Sequence, residues 1–171
     1  MKARLLTCCA WLLTTSPLAF AASSRESLPN QVAVEVGGRT PFLGIGYERW
    51  LNDVIGIGAG VGGFPCVECS IGNSGAYGGY FVVSFPVYFA VNVPVTQSQG
   101  VILSAGATLA VPGHGQESEL TPSLGAGYDL LLGGGFVLRP SLLLLFHPYA
   151  DPGDRRIPAQ LWAGLHVGWA F

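Results

Sequence analysis

The chain has 171 residues, half of them hydrophobic and only 11% charged, with a formal net charge of −2. Soluble domains carry roughly a quarter of their residues as Asp, Glu, Lys and Arg, so this chain has more apolar surface than charge to keep it dissolved. The absence of any basic cluster argues against a nucleic-acid binder, and no stretch beyond the N-terminus reaches the ~18 uninterrupted apolar residues of a membrane-spanning helix.

Residues 1–21, "MKARLLTCCAWLLTTSPLAFA", have a basic start at Lys2 and Arg4, an apolar middle and a small-x-small ending at Ala19-Phe20-Ala21. That is the layout of a secretory signal peptide cleaved after Ala21. Thr, Ser and Pro17 interrupt the run before it reaches the length of an anchor helix. Residues 22–171 are then the mature domain, and Cys8 and Cys9 leave with the peptide.

The mature part divides into alternating runs separated by turn residues. "QVAVEVGGR" (31–39) sets Val32, Val34 and Val36 against Ala33, Glu35 and Gly37. "FLGIGYERW" (42–50) sets Leu43, Ile45 and Tyr47 against Gly44, Gly46 and Glu48. The run 54–64 sets Ile55, Ile57, Ala59 and Val61 against four glycines. The run 80–92 opposes Phe81, Val83, Phe85, Val87, Phe89 and Val91 to Tyr80, Ser84, Tyr88 and Asn92. The runs 100–111, 121–131, 136–147 and 161–171 continue the pattern, with Ser104, Thr108, Asp129, Arg139 and His166 on the minority face. The last of them, "LWAGLHVGWAF", alternates strictly to Phe171. Period two predicts eight strands, and no segment has a helical period.

Connections alternate in length. "LND", "VPVTQSQ" and "LGGG" are short, whereas the connections containing Cys66, His114 and Asp151 are long and charged. The link between the first two strands is short where the pattern wants a long one. Short turns at one end and long loops at the other mark an outer-membrane barrel. A lipocalin-like barrel would oppose its apolar face with Lys and Glu; here Gly and Ser oppose it, as suits the crowded interior of a narrow barrel. The apolar face is then expected to meet lipid. Trp50, Trp169 and Phe171 are expected at one membrane rim and Trp162 near the other.

On this alternation, strand count, loop asymmetry, leader and terminal Phe171, the mature sequence resembles the small eight-stranded outer-membrane β-barrels of the OmpA/OmpX type. The expected fold is all-β, a closed eight-stranded antiparallel up-and-down transmembrane barrel. The resemblance implies periplasmic termini, long loops facing outward and surroundings of outer-membrane lipid and lipopolysaccharide in a Gram-negative envelope. It also implies that the barrel-assembly machinery reads the closing strand through Leu165, Val167, Trp169 and Phe171. A monomer is expected.

Inward charges are few. Glu35, Glu48, Asp129, Arg139 and His166 lie on strands that become contiguous on closure, which predicts one buried cluster with Arg139 bridging two or more carboxylates, since charges in a dry interior must pair. Cys66-Val67-Glu68-Cys69 in an exported chain reads as a loop disulfide, Cys66 to Cys69. His114, Ser118 and Glu119 share a loop and suggest a lipid A-modifying hydrolase, but their spacing is not that of the deacylase barrels, and neither G-x-S-x-G nor H-E-x-x-H is present. No catalytic, cofactor or metal residues are assigned. Pro86 and Pro140 interrupt strands of a sheet without edges, so bulges are expected there, with a small cavity near Pro86 and extra room beside the inward glycines. The expected function is non-enzymatic, structural or surface-interacting through the outer loops; the alternatives are a narrow solute channel and a lipid A-modifying enzyme.

Overall fold

β-Branched and aromatic residues alternating with small ones suit a pleated sheet with one face apolar and the other crowded. In a computed structural model, which describes residues 27–40, 42–66, 70–71, 76–77, 80–113, 117–146 and 159–171, the runs form β1 (Asn30–Gly37), β2 (Leu43–Trp50), β3 (Ile55–Cys66), β4 (Ser70–Ile71), β5 (Ala76–Tyr77), β6 (Tyr80–Thr96), β7 (Gln99–Pro112), β8 (Glu119–Leu131), β9 (Phe136–Phe146) and β10 (Ala159–Ala170). β4 and β5 make a separate two-stranded ladder. The other eight strands form an antiparallel up-and-down meander that closes on itself. Closure joins β1 to β10, from Gln31 opposite Ala170 to Gly37 opposite Gly164, and it removes the unpaired edges of an open sheet.

The turns 51–54, 97–98 and 132–135 lie at the end that carries the first and last strand residues, the terminal end. Asn52 starts the first of them, its Oδ1 accepting from the N–H groups of Val54 and Ile55 at 2.9 and 2.7 Å, as an Asx turn does. The remaining connections lie at the opposite, loop end. Outward positions are mainly apolar: Val34, Ile45, Phe89, Leu142 and Leu161 are exposed, while Glu35, Glu48, Ser84, Asp129, Arg139 and His166 face inward and are buried.

Several expectations are corrected. β6 runs on to Thr96 and β7 begins at Gln99, so most of the segment expected to connect them is strand. Neither Pro86 nor Pro140 makes a bulge. Pro86 stays in register with Thr108 on β7; on the β3 side the pairing stops at Ala59–Val87 and resumes at Gly62–Ser84 without a shift. Pro140 likewise pairs with Leu165 on β10, while the β8 side skips from Gly127–Ser141 to Leu130–Leu138. Proline lacks only its N–H, so each ladder opens on one side and the strand keeps its register. The register shift among the described pairs falls between Pro94 and Thr96 instead.

Trp50 is not a rim aromatic. It has the parity of Glu48 and points inward, 2% exposed, packed with Tyr88, Ala90 and Ile102. Its indole lies over Gly56, where an added Cβ would come within 3.1 Å of the ring. The inward glycines therefore make room for the protein's own side chains. A Cβ on Gly58 would collide with the Tyr88 ring.

Candidate functional site in the barrel lumen

The centre of the lumen is organised by Arg139 on β9. Its Nε donates to Asp129 Oδ1 on β8 at 2.9 Å, Nη1 to Glu48 Oε2 on β2 at 2.9 Å and Nη2 to Glu48 Oε1 at 2.8 Å. One guanidinium thus grips one carboxylate with its fork and a second with its remaining edge, the strongest arrangement open to an ion pair. Tyr88 on β6 donates its hydroxyl to Glu48 Oε2 at 3.1 Å. The cluster spans the barrel, tying β2 to β8 and β9. Arg139 and Glu48 are 3% and 1% exposed, so the pair has given up its water and is held by these bonds.

Glu35 and His166 share the lumen but do not bond to Arg139. Glu35 Oε1 accepts the Arg39 backbone N–H at 3.2 Å and lies 3.7 Å from Arg39 Nη1. His166 stands opposite both Glu35 and Arg139 in register, yet its hydrogen bond is to Gln31, whose amide nitrogen lies 2.7 Å from His166 Nε2.

Arg39, Tyr88 and Gln31 are lumen residues that sequence reasoning left out of the cluster. Arg39 enters through the short link between β1 and β2. Gly37 and Gly38 have positive φ, 69° and 78°, a backbone region that suits glycine. They turn the chain into the barrel, so Arg39 and Thr40 are 7% and 1% exposed. Arg39 Nη2 donates to Ser104 Oγ at 2.6 Å, the Arg39 carbonyl accepts from Thr108 Oγ1 at 3.3 Å, and the guanidinium lies 3.7 Å from the Tyr88 ring centroid, in cation–π range. Thr40 occupies the space beside Gly44 and Gly62, where an added Cβ would meet its side chain at 2.6 Å. The link is therefore a plug inserted from the loop end. Its sequence signal was the pair Gly37-Gly38 before a lone arginine.

Around the cluster little space remains. The void lined by Glu35, Arg39, Arg139 and His166 is about 10 Å³, and that beside Asn92 and Asp129 is about 20 Å³, against the ~10–15 Å³ that one water needs. Of the hydrolase set, Ser118 is exposed and Glu119 is half-buried; His114 lies outside the described residues, as do the leader 1–21 and the pairing of Cys66 with Cys69. Leu165, Trp169 and Phe171 are exposed on the outward face and Val167 is partly so. The Phe171 backbone exchanges hydrogen bonds with Asn30 at 3.0 and 2.8 Å.

No protein-family model and no curated protein matches the chain. Solved structures do. The N-terminal β-barrel domain of Pseudomonas aeruginosa OprF is similar over 83% of this chain and 95% of that one, with a TM-score of 0.55 at 15% identity. The fold is that of the small outer-membrane β-barrels. The Yersinia pestis outer membrane protein Ail in a phospholipid bilayer nanodisc is also similar, covering 83% of this chain and 97% of that one, with a TM-score of 0.48 at 14% identity. The architecture agrees with the OmpA/OmpX type that the sequence resembles.

Proposed function

We propose that the chain is a monomeric, integral outer-membrane barrel that acts without catalysis, through its loop end, and does not conduct solutes. The observation that carries this reading is the fork of Arg139 on Glu48 and Asp129, capped by the inward β1–β2 link, with adjoining voids of about 10 and 20 Å³. A bilayer setting is supported by the continuous exposed apolar face, far larger than soluble monomers tolerate, and by a sheet whose backbone groups pair within a closed wall. On this reading residues 1–21 direct export. Leu165, Val167, Trp169 and Phe171 present the closing strand to the barrel-assembly machinery. The loop sequences carry Glu68, Glu117, Glu119, Asp151, Asp154, Arg155 and Arg156, a mixed acidic set suited to lipopolysaccharide or a protein partner.

Planar-bilayer recording tests the sealed lumen. The purified barrel is expected to give no steady conductance, and the double variant R139A/E48A to give one. Steady conductance by the unmodified barrel would overturn the reading in favour of a narrow channel. Unchanged lipid A mass spectra with and without the protein are expected; altered acylation would make it an enzyme.

A further inference from the structure

We propose that the loop-end half of the lumen takes up one acyl chain of a surrounding membrane lipid, which enters sideways through a notch in the wall above the β1–β2 link. In the bilayer setting on which this uptake rests, β1 and β2 are short: each has eight residues, against the ~9–11 that a tilted strand needs to cross the hydrocarbon layer. Their hairpin closes where the Gly37 N–H donates to the Phe42 carbonyl at 2.9 Å. The strands on either side continue past it. β10 pairs with β1 only as far as Gly164, opposite Gly37, yet extends to Ala159. β3 pairs with β2 only as far as Gly63, opposite Leu43, yet extends to Cys66. Among the described residues no strand pairs with these two ends on the sides that β1 and β2 leave.

The chemistry of the notch and of the space behind it selects a lipid chain. The apolar outward face continues on both flanks, with Leu161 on β10 and Phe81, opposite Pro65, both exposed, so hydrocarbon reaches the opening without crossing water. Phe42 forms the sill. It has the inward parity of Gly44 and Glu48, yet it is 62% exposed. Counted from the Leu51–Ile55 bond, odd residues of β3 turn their backbone groups toward β2, so the notch side of β3 carries Pro65, which has no N–H to strand there. Counted from the Asn30–Phe171 bonds, the Leu161 N–H also faces the notch, where a lipid ester oxygen can accept from it; an unmet donor in hydrocarbon would be costly. Behind lies a cavity of about 420 Å³, within the range of small-molecule sites. Phe42 and Pro65 line it with Phe64, Leu145 and Trp162. Several of its polar groups are engaged elsewhere: Arg39 with Ser104 and the Tyr88 ring, Thr108 Oγ1 with the Arg39 carbonyl, and Gln160 Oε1 with Trp162 Nε1. The space therefore suits a hydrocarbon chain whose head stays in the interface.

Acyl-brominated phospholipid is the probe, because its bromines stay tethered to a head in the bilayer and reach the lumen only through the wall. Chains keeping one tryptophan are folded into nanodiscs of that lipid and checked by heat-modifiable gel mobility. Trp162 has the inward parity of His166 and lines the cavity. A chain keeping only Trp162 should be quenched nearly as strongly as one keeping only the outward Trp169, and one keeping only the inward Trp50 should not. A110F fills the cavity from β7, and F42K sets a charge on the sill; each should bring Trp162 down to the level of Trp50. Quenching of Trp162 no greater than that of Trp50, or unchanged by A110F or by F42K, would overturn the proposal while a quenched Trp169 kept the bilayer reading intact. An unquenched Trp169 would overturn both.

Discussion

Replacing Arg139 by leucine removes three charge-assisted hydrogen bonds, at 2.8, 2.9 and 2.9 Å, from two carboxylates that are themselves almost fully buried. Removing one partner of such a pair costs about 3–5 kcal/mol, because the other charge stays desolvated. Here one guanidinium serves two carboxylates, so R139L is expected at or above that range. Removing every charge is different: R139L/E48Q/D129N exchanges ionic bonds for neutral groups of similar size and is expected to recover most of the loss, since a buried pair contributes little against an uncharged replacement. R139K should fall between, because a lysine ammonium is a point charge that lacks the fork. The assay is reversible denaturant unfolding in lipid vesicles, read by tryptophan fluorescence with a common slope. A loss in R139L below about 1 kcal/mol, the worth of an exposed pair, would refute the view that the lumen is dry and held by Arg139. A triple variant no more stable than R139L would refute the assignment of the cost to stranded charge.

Glycine crowding supplies a paired test. G58A places a Cβ in the Tyr88 ring and should cost about 1–3 kcal/mol as overpacking, while G46A, whose Cβ would meet only the Ala59 carbonyl at 3.7 Å, should cost less; equal stability by the same unfolding assay would refute the packing described for Tyr88. The tryptophans report sidedness. With acyl-brominated lipid, a chain keeping only Trp169, which is 52% exposed on the apolar face, should be strongly quenched, and one keeping only Trp50 should not; quenching of Trp50 would return it to the membrane rim.

The comparison of sequence with structure turns on parity. Within a strand, side chains alternate by a local rule, so the outward set from Val32 to Phe171 and the inward set from Glu35 to His166 could be read residue by residue. The same rule would have placed Trp50 inward beside Glu48; expecting tryptophan at a membrane rim overrode it. Pro86 and Pro140 were harder, because what proline does to a sheet depends on which neighbour must supply its missing donor.

The sequence by itself determined the number of barrel strands, though not the small β4–β5 ladder, together with the two faces and the end at which the long connections lie, because alternation and turn chemistry act over a few residues. Only the tertiary structure decided which inward groups meet. Arg139 faces Asp129 directly across the β8–β9 hairpin, but it reaches Glu48, 91 positions away on β2, only across the lumen of the closed barrel, and no local pattern encodes that meeting. The same closure gave His166 to Gln31, whereas Glu35 meets Arg39 locally, four residues on. Turned inward at Gly37 and Gly38, a link that looked too short for an outer loop became a plug that buries Arg39 and Thr40 in the lumen.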